Sequence, residues 1–127
     1  MLVVVTRLST RGLSGLRTAM SLSGTVVDQL ADLPGFHGGR LLVDRRRDLW
    51  TITTWQDRAS LAAFGALHAP VAARISDVAV ASATSGWQQA SDEVPAWSAV
   101  RERWTDGPGP ARGLSRPLPA GRALVPA

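Results

Sequence analysis

The stretch FHGGRLLVDRRRDLWTITTWQ, residues 36–56, decides the predicted fold. Its two ends, 36–44 and 49–56, are rich in β-branched and aromatic residues, and the polar RRR between them predicts the turn of a hairpin. Alternation along the second strand divides its side chains between two faces: Trp50, Ile52 and Thr54 on one, and Leu49, Thr51, Thr53 and Trp55 on the other. Large side chains on both faces predict a strand that is covered on both sides.

The segments before this hairpin predict one strand and one helix. Residues 2–8, LVVVTRL, are short and β-branched, which favours a buried strand. Apolar residues then recur at helical spacing within residues 9–35, until Pro34 and Gly35 end the helix. Gly24 weakens the middle of this segment, so we expect a broken helix.

The segments after the hairpin predict a helix that starts at Asp57, a side chain suited to an N-cap, and continues to residue 68. Because Pro70 fits the first turn of a helix better than its interior, we expect a second, shorter helix over 70–79. Residues 80–90 then predict a last strand, and residues 94–104 a C-terminal helix.

The resulting order, β-α-β-β-α-β, is the ferredoxin-like order of an α+β protein. It predicts a four-stranded antiparallel sheet with helices on one face, in a domain of residues 1–104. Residues 105–127 are rich in Pro and Gly and predict an extended or partly disordered C-terminal arm. Trp50 or Trp55 on the open face would be a large exposed apolar patch, and pairing of two sheets in a homodimer would bury it.

Composition excludes several classes of protein. All 14 basic residues are arginines, and they are dispersed except in the run at 45–47, which acids flank. This pattern lacks the aromatic-interleaved patch of a nucleic-acid binder, and we interpret the run as an exposed hairpin tip. The chain has no cysteine, so it has no thiol nucleophile and no zinc-thiolate site. Because it also lacks a signal peptide and any apolar run of about 20 residues, we expect a cytoplasmic protein without a membrane span.

The longer stretch LPGFHGGRLLVDRRRDLWTITTWQDRASLAAF, residues 33–64, combines a PGF that opens one strand, a Trp that closes the next, and an acid-capped helix ending in Phe. It resembles the dimeric α+β barrel superfamily, which includes the antibiotic-biosynthesis monooxygenases. LWTITTW, LAAFGALHAPVA and SGWQQASDEVPAW more narrowly resemble its spheroidene-monooxygenase-like and DUF3291 branch. The resemblance implies pairing into a dimeric α+β barrel, with an apolar pocket between the sheet and the helices of each protomer.

Within such a pocket, His68 is the candidate general acid/base, because an imidazole titrates near neutral pH. The alternative is a packed structural histidine. Arg40 could hold a carboxylate or enolate by paired hydrogen bonds, and His37 is a further candidate catalytic residue. Aromatic side chains could wall the pocket for a flat or polyene substrate or could simply pack: Trp50, Trp55, Trp87 and Phe64. No metal-ligand spacing and no dinucleotide fingerprint is present.

Three functions remain open at this point. The first is a cofactor-independent enzyme of specialised metabolism that acts on an apolar polycyclic or polyene intermediate, by monooxygenation or by cyclisation or isomerisation. The second is a haem-dependent monooxygenase or dehydratase with His68 as axial ligand. The third is a non-catalytic, ligand-binding or accessory dimer that uses the same pocket.

Overall fold

Eight elements follow one another in the computed structural model, which describes residues 1–31 and 33–118. They are β1 (Leu2–Thr10), α1 (Gly12–Ala31), β2 (Phe36–Asp44), β3 (Leu49–Trp55), α2 (Arg58–Ser76), β4 (Ala79–Gln88), α3 (Trp97–Arg103) and β5 (Gly113–Leu118). The first six confirm the ferredoxin-like βαββαβ order.

The sheet is antiparallel and has five strands, in the order β4-β1-β3-β2-β5, where four were predicted. The fifth strand comes from the Pro/Gly-rich arm and pairs with β2, Pro117 lying opposite Arg40. Proline is tolerated there because β5 is an edge strand, where a missing N–H disrupts the ladder least. The rest of the arm, residues 119–127, lies outside the described residues, and the domain boundary at residue 104 stays a prediction.

Both long helices are continuous where breaks were predicted. α1 runs through Gly24, and α2 runs through Pro70. Pro70 removes the hydrogen bond to the carbonyl of Ala66, and both residues are exposed, so water can satisfy that carbonyl.

The predicted N-cap is confirmed, because the Asp57 carboxylate accepts the Ser60 N–H at 2.8 Å, and this bond lowers the pKa of Asp57. No described helix is long and apolar enough to cross a membrane.

The two faces of the sheet are covered by different helices. α1 and α2 cover what we call the helix face, where Leu49 and Trp55 of β3 join the core. α3 and the residue that caps it, Trp104, cover the other face, which we call the outer face, where Val100 and Trp104 pack against Trp50. The prediction that β3 is covered on both sides is therefore confirmed.

Burial of Trp50 corrects one argument for a dimer. The side chain is fully buried, its ring lies 4.8 Å from that of Trp104 in an edge-on arrangement, and its Nε1 donates to Asp44 Oδ2 at 3.0 Å. The expectation of an exposed tryptophan on the outer face was wrong, because α3 of the same chain covers it. A dimer is not needed to bury this residue.

The paired glycines of β2 have separate roles. The register with β3 shifts between Phe36 and Gly38, which is a bulge, and Gly38 has a φ of 118° that favours glycine. Gly39 lies so close to β3 that an added Cβ would meet the Ile52 carbonyl oxygen at 2.0 Å. Both glycines therefore serve the sheet itself, and close approach of a ligand is not needed to explain them.

Candidate active site

A cavity of about 400 Å³ lies between the helix face of the sheet and the helices α1 and α2. It forms because α2 does not pack tightly onto the strands, Val71 being the single buried residue of this helix. The cavity reaches the surface along β4, where Ser82 lines it and is exposed. Its volume is in the range of small-molecule sites, so it is the candidate binding site.

One stripe of α2 forms the roof of the cavity. Side chains on this stripe recur three or four residues apart and are half-buried: Leu61, Phe64, His68, Ala72 and Ile75. That spacing places them on one face of a helix. The stripe is apolar except for His68, so the imidazole is the one titratable group among the described residues that line the cavity.

His68 is held in its neutral form by its surroundings. Its ring stacks on Phe64, with centroids 4.8 Å apart and an interplanar angle of 14°. Its Nδ1 is buried and has no hydrogen-bond partner among the described residues. Burial lowers the pKa of His68 below its usual 6.5, because a charged imidazole is poorly solvated there. A neutral imidazole that lines a cavity can accept a proton from a ligand bound there.

The floor of the cavity carries a row of threonines that the sequence interpretation did not assign to the site. Thr6 of β1 pairs in register with Thr51 of β3 on one side and with Thr84 of β4 on the other. Thr6, Thr51 and Thr53 line the cavity, and the Thr6 and Thr84 hydroxyls are 3.3 Å apart. Alternation had placed Thr51 and Thr53 on one face, but the sequence gives no sign that this face lies below a cavity.

Three of the predicted site residues lie on the opposite side of the sheet. Arg40 is paired in register with Ile52, which belongs to the outer-face core. Trp50 is buried in that core, and Trp87 packs at its edge with the Arg103 guanidinium 5.0 Å above its ring. The sheet separates these side chains from His68, so the expectation that Arg40 orients a ligand beside His68 does not fit this geometry.

Two further predicted residues do not line the cavity. Trp55 is fully buried behind Phe64, at a ring distance of 5.3 Å, and its Nε1 donates to the Thr53 hydroxyl at 2.9 Å. It therefore supports the wall rather than facing a ligand. His37 lies at the bulge of β2 and is not among the cavity residues. Of the predicted set, His68 and Phe64 are the residues that line the cavity.

The residues of the cavity do not fit haem. Haem brings two propionates, and none of the described lining residues is an arginine that could pair with them. A ligating histidine usually donates its second ring nitrogen to an acceptor, whereas Nδ1 of His68 has no partner within the described ranges and its ring face is covered by Phe64. A search of the described residues finds no group of three or more His, Asp or Glu side chains placed to hold a metal ion.

Comparison with solved structures identifies proteins of the same fold. SnoaB, a cofactor-independent oxygenase from Streptomyces nogalater, superposes with a TM-score of 0.62 at 19% identity, over 71% of this chain and 93% of that chain. An antibiotic biosynthesis monooxygenase superposes with a TM-score of 0.65 at 18% identity, over 72% of this chain and 100% of that one. A conserved protein from Methanosarcina mazei Go1 superposes with a TM-score of 0.64 at 12% identity, over 69% of this chain and 91% of that chain.

The chain has the fold of the antibiotic-biosynthesis monooxygenases. The predicted resemblance to the antibiotic-biosynthesis monooxygenases is thereby confirmed for the fold alone. The narrower resemblance to the spheroidene-monooxygenase-like and DUF3291 branch stays a prediction. No protein-family model and no curated protein matches the sequence.

Proposed function

We propose that this protein is a monooxygenase-type enzyme that acts on an apolar small molecule without a cofactor, with His68 as general base. The observation that carries the proposal is that a neutral, half-buried imidazole is the one titratable side chain among the described residues that line an apolar cavity. The fold shared with a cofactor-independent oxygenase supports the same reaction class.

The chemistry that fits one base and no cofactor begins with a substrate that has an acidic CH2 group conjugated with a carbonyl. His68 takes the proton, and the carbanion that remains is stabilised as an enolate. Molecular oxygen, the second substrate, adds to this carbon, and the resulting peroxide takes a proton to become a hydroperoxide. Loss of water leaves a carbonyl, so a CH2 group and O2 give C=O and H2O. Two electron pairs pass from carbon to oxygen, and the imidazole is regenerated.

The cavity walls favour an oxygenated polycyclic substrate over a hydrocarbon polyene. The roof is apolar and offers the ring of Phe64 for contact with a flat molecule. The floor offers the hydroxyls of Thr6, Thr51 and Thr53, which can donate to carbonyl or phenol oxygens of the substrate. The Thr53 hydroxyl accepts from Trp55 and the Thr6 hydroxyl contacts Thr84, but a pure hydrocarbon would offer no acceptor to the donors that the floor retains, which costs binding energy.

A labelling experiment with anthrone, a tricyclic ketone with an acidic CH2 group, tests the proposal. The protein is treated with a chelator, and conversion is followed under ¹⁸O₂ beside a heat-unfolded sample that reports autoxidation. We expect one O2 molecule to be consumed and one ¹⁸O atom to be incorporated for each quinone formed. Conversion of a related substrate without oxygen uptake would instead identify an isomerase or cyclase. Saturable binding without any conversion would identify a ligand-binding protein.

We also propose that the enzyme is a homodimer. In the structure, its interface is expected at the edge strands of the sheet and not at the outer face. α3 covers the outer face, whereas exposed apolar side chains lie on the two edge strands, Val80 on β4 at 61% and Leu114 on β5 at 85%. Edge strands carry unpaired backbone groups that can pair with another chain. Light scattering on the wild-type chain and on Leu114→Glu tests this; a monomeric wild-type chain would contradict it.

A further inference from the structure

A second cavity, of about 470 Å³, lies where the β2–β3 turn meets the segment between α3 and β5. Four arginines line it, namely Arg45, Arg46, Arg101 and Arg112, together with residues 109–111. None of its lining residues is shared with the His68 cavity, and among the described residues none of them is acidic. Arg45 and Arg46, two residues of the run predicted as an exposed hairpin tip, therefore form one wall of a concave, cationic surface.

The two segments that form this cavity are held together by one buried carboxylate. Asp44 is 3% exposed. Its Oδ1 accepts the N–H groups of Arg46 at 2.9 Å and Asp48 at 3.1 Å, and its Oδ2 accepts Trp50 Nε1 at 3.0 Å and the Ala111 N–H at 3.2 Å. Because both walls are fixed to the same carboxylate, the cavity is formed before any ligand arrives.

The arginine side chains are also partly oriented by the backbone. Arg46 Nη1 donates to the Gly109 carbonyl at 3.2 Å, and Arg101 Nε donates to the Pro110 carbonyl. Each guanidinium has five N–H donors, so each keeps donors for a ligand. Arg45 and Arg112 are joined by their backbones, through the Arg45 N–H and the Arg112 carbonyl at 2.8 Å, so replacing their side chains leaves this bond intact.

We propose that this cavity binds a small oxyanion of the diphosphate class. Four arginines line one cavity whose described lining residues include no acidic side chain, and their mutual repulsion is relieved by a bound polyanion. A monocarboxylate neutralises one charge, whereas a diphosphate neutralises several and offers oxygens for paired hydrogen bonds. Among the described residues, the lining contains no aromatic side chain on which a base could stack, which favours a small anion over single-stranded nucleic acid.

Calorimetric titration of the full chain with pyrophosphate at low ionic strength tests the proposal. The variants are Arg45→Gln and Arg112→Gln, and the matched control is Arg17→Gln, which removes the same charge from α1. We expect saturable binding by the wild-type chain, a Kd about tenfold higher or more in each test variant, and an unchanged Kd in the control. All three side chains are exposed, so unchanged melting temperatures are expected and are measured alongside.

Three results would overturn the proposal. The first is the absence of saturable pyrophosphate binding by the wild-type chain, and the second is an equal loss of affinity in Arg17→Gln, which would show a response to net charge alone. The third is tighter binding of citrate or of a single-stranded oligonucleotide than of pyrophosphate, which would assign the surface to another class of ligand. None of these results bears on the His68 cavity, so the proposed function stands or falls separately.

Discussion

The imidazole of His68 lies flat against the ring of Phe64, with 4.8 Å between the centroids. One turn of α2 separates the two residues, so the helix itself sets this contact. Phe64 covers one face of the imidazole and leaves no room there for the water that would solvate a charged ring. The same contact therefore forms part of the apolar roof and favours the neutral base.

The lowered pKa of His68 predicts how stability depends on pH. Since the folded pKa lies below 6.5, the unfolded chain binds the proton first as pH falls. The free energy of unfolding therefore loses this contribution as pH falls through 6.5 towards the folded pKa, and keeps it above 6.5. Urea unfolding at about pH 7.5 and about pH 5.5 measures the difference, which we expect to be smaller in His68→Gln. His37→Gln is the control, and an equal decrease in both variants would contradict the prediction.

The threonine floor predicts a change in substrate affinity without a change in the base. Thr51→Val keeps the shape of the side chain and removes the hydroxyl, so we expect KM for an oxygenated substrate to rise about tenfold. The acidic limb of the pH profile should keep its midpoint. Thr10→Val, on the same strand face as Thr6 but not among the cavity residues, is the control. Equal KM values for Thr51→Val and wild type would show that the floor does not contact the substrate.

The packing of Trp104, the C-cap residue of α3, on Trp50 is expected to stabilise the outer face of the sheet. Trp104→Ala removes the ring that packs on Trp50, and we expect the free energy of unfolding to fall by about 3–5 kcal/mol. Exposure of Trp50 should also shift its fluorescence to longer wavelength and promote self-association. Denaturant unfolding and light scattering check both effects. A variant as stable and as monodisperse as the wild type would mean that α3 does not hold this core together.

The buried carboxylate of Asp44 accepts four hydrogen bonds, so its removal is expected to destabilise the fold. Asp44→Ala leaves the N–H groups of Arg46, Asp48, Ala111 and Trp50 without their partner, and we expect a loss of about 3 kcal/mol. Asp44→Asn keeps one oxygen and should lose less. Thermal unfolding of both variants gives the order, and a reversed order would contradict this account of the carboxylate.

The sequence predicted the elements whose signal is local and missed those that depend on tertiary contacts. Alternation in β3 gave both of its faces, and the Asp57 cap gave the start of α2. The arm offered no alternation, so β5 could not be predicted, and the docking of α3 on Trp50 joins residues far apart in the chain. A helix break was predicted at Pro70 because the sequence does not show that this residue is exposed, where water can satisfy the carbonyl that proline leaves unbonded.

The candidate site shows the same division. His68 was identified because a histidine in an apolar helical stripe is unusual, and Phe64 shares that stripe. Arg40 and Trp50 were placed beside it because the sequence does not say which face of the sheet lies below the cavity. The threonines of the floor were missed for the same reason, since a row of hydroxyls across β1, β3 and β4 exists only once the strands are in register.

The most direct test of the central claim is kcat/KM for anthrone as a function of pH, in the wild type, His68→Ala and His37→Ala. We predict a wild-type profile that falls at acid pH with a midpoint below 6.5, the side to which burial lowers the pKa of His68. His68→Ala should lose this limb and about 10²–10⁴-fold in rate, while His37→Ala keeps both. Full activity of His68→Ala with an unchanged acidic limb would show that His68 is not the base.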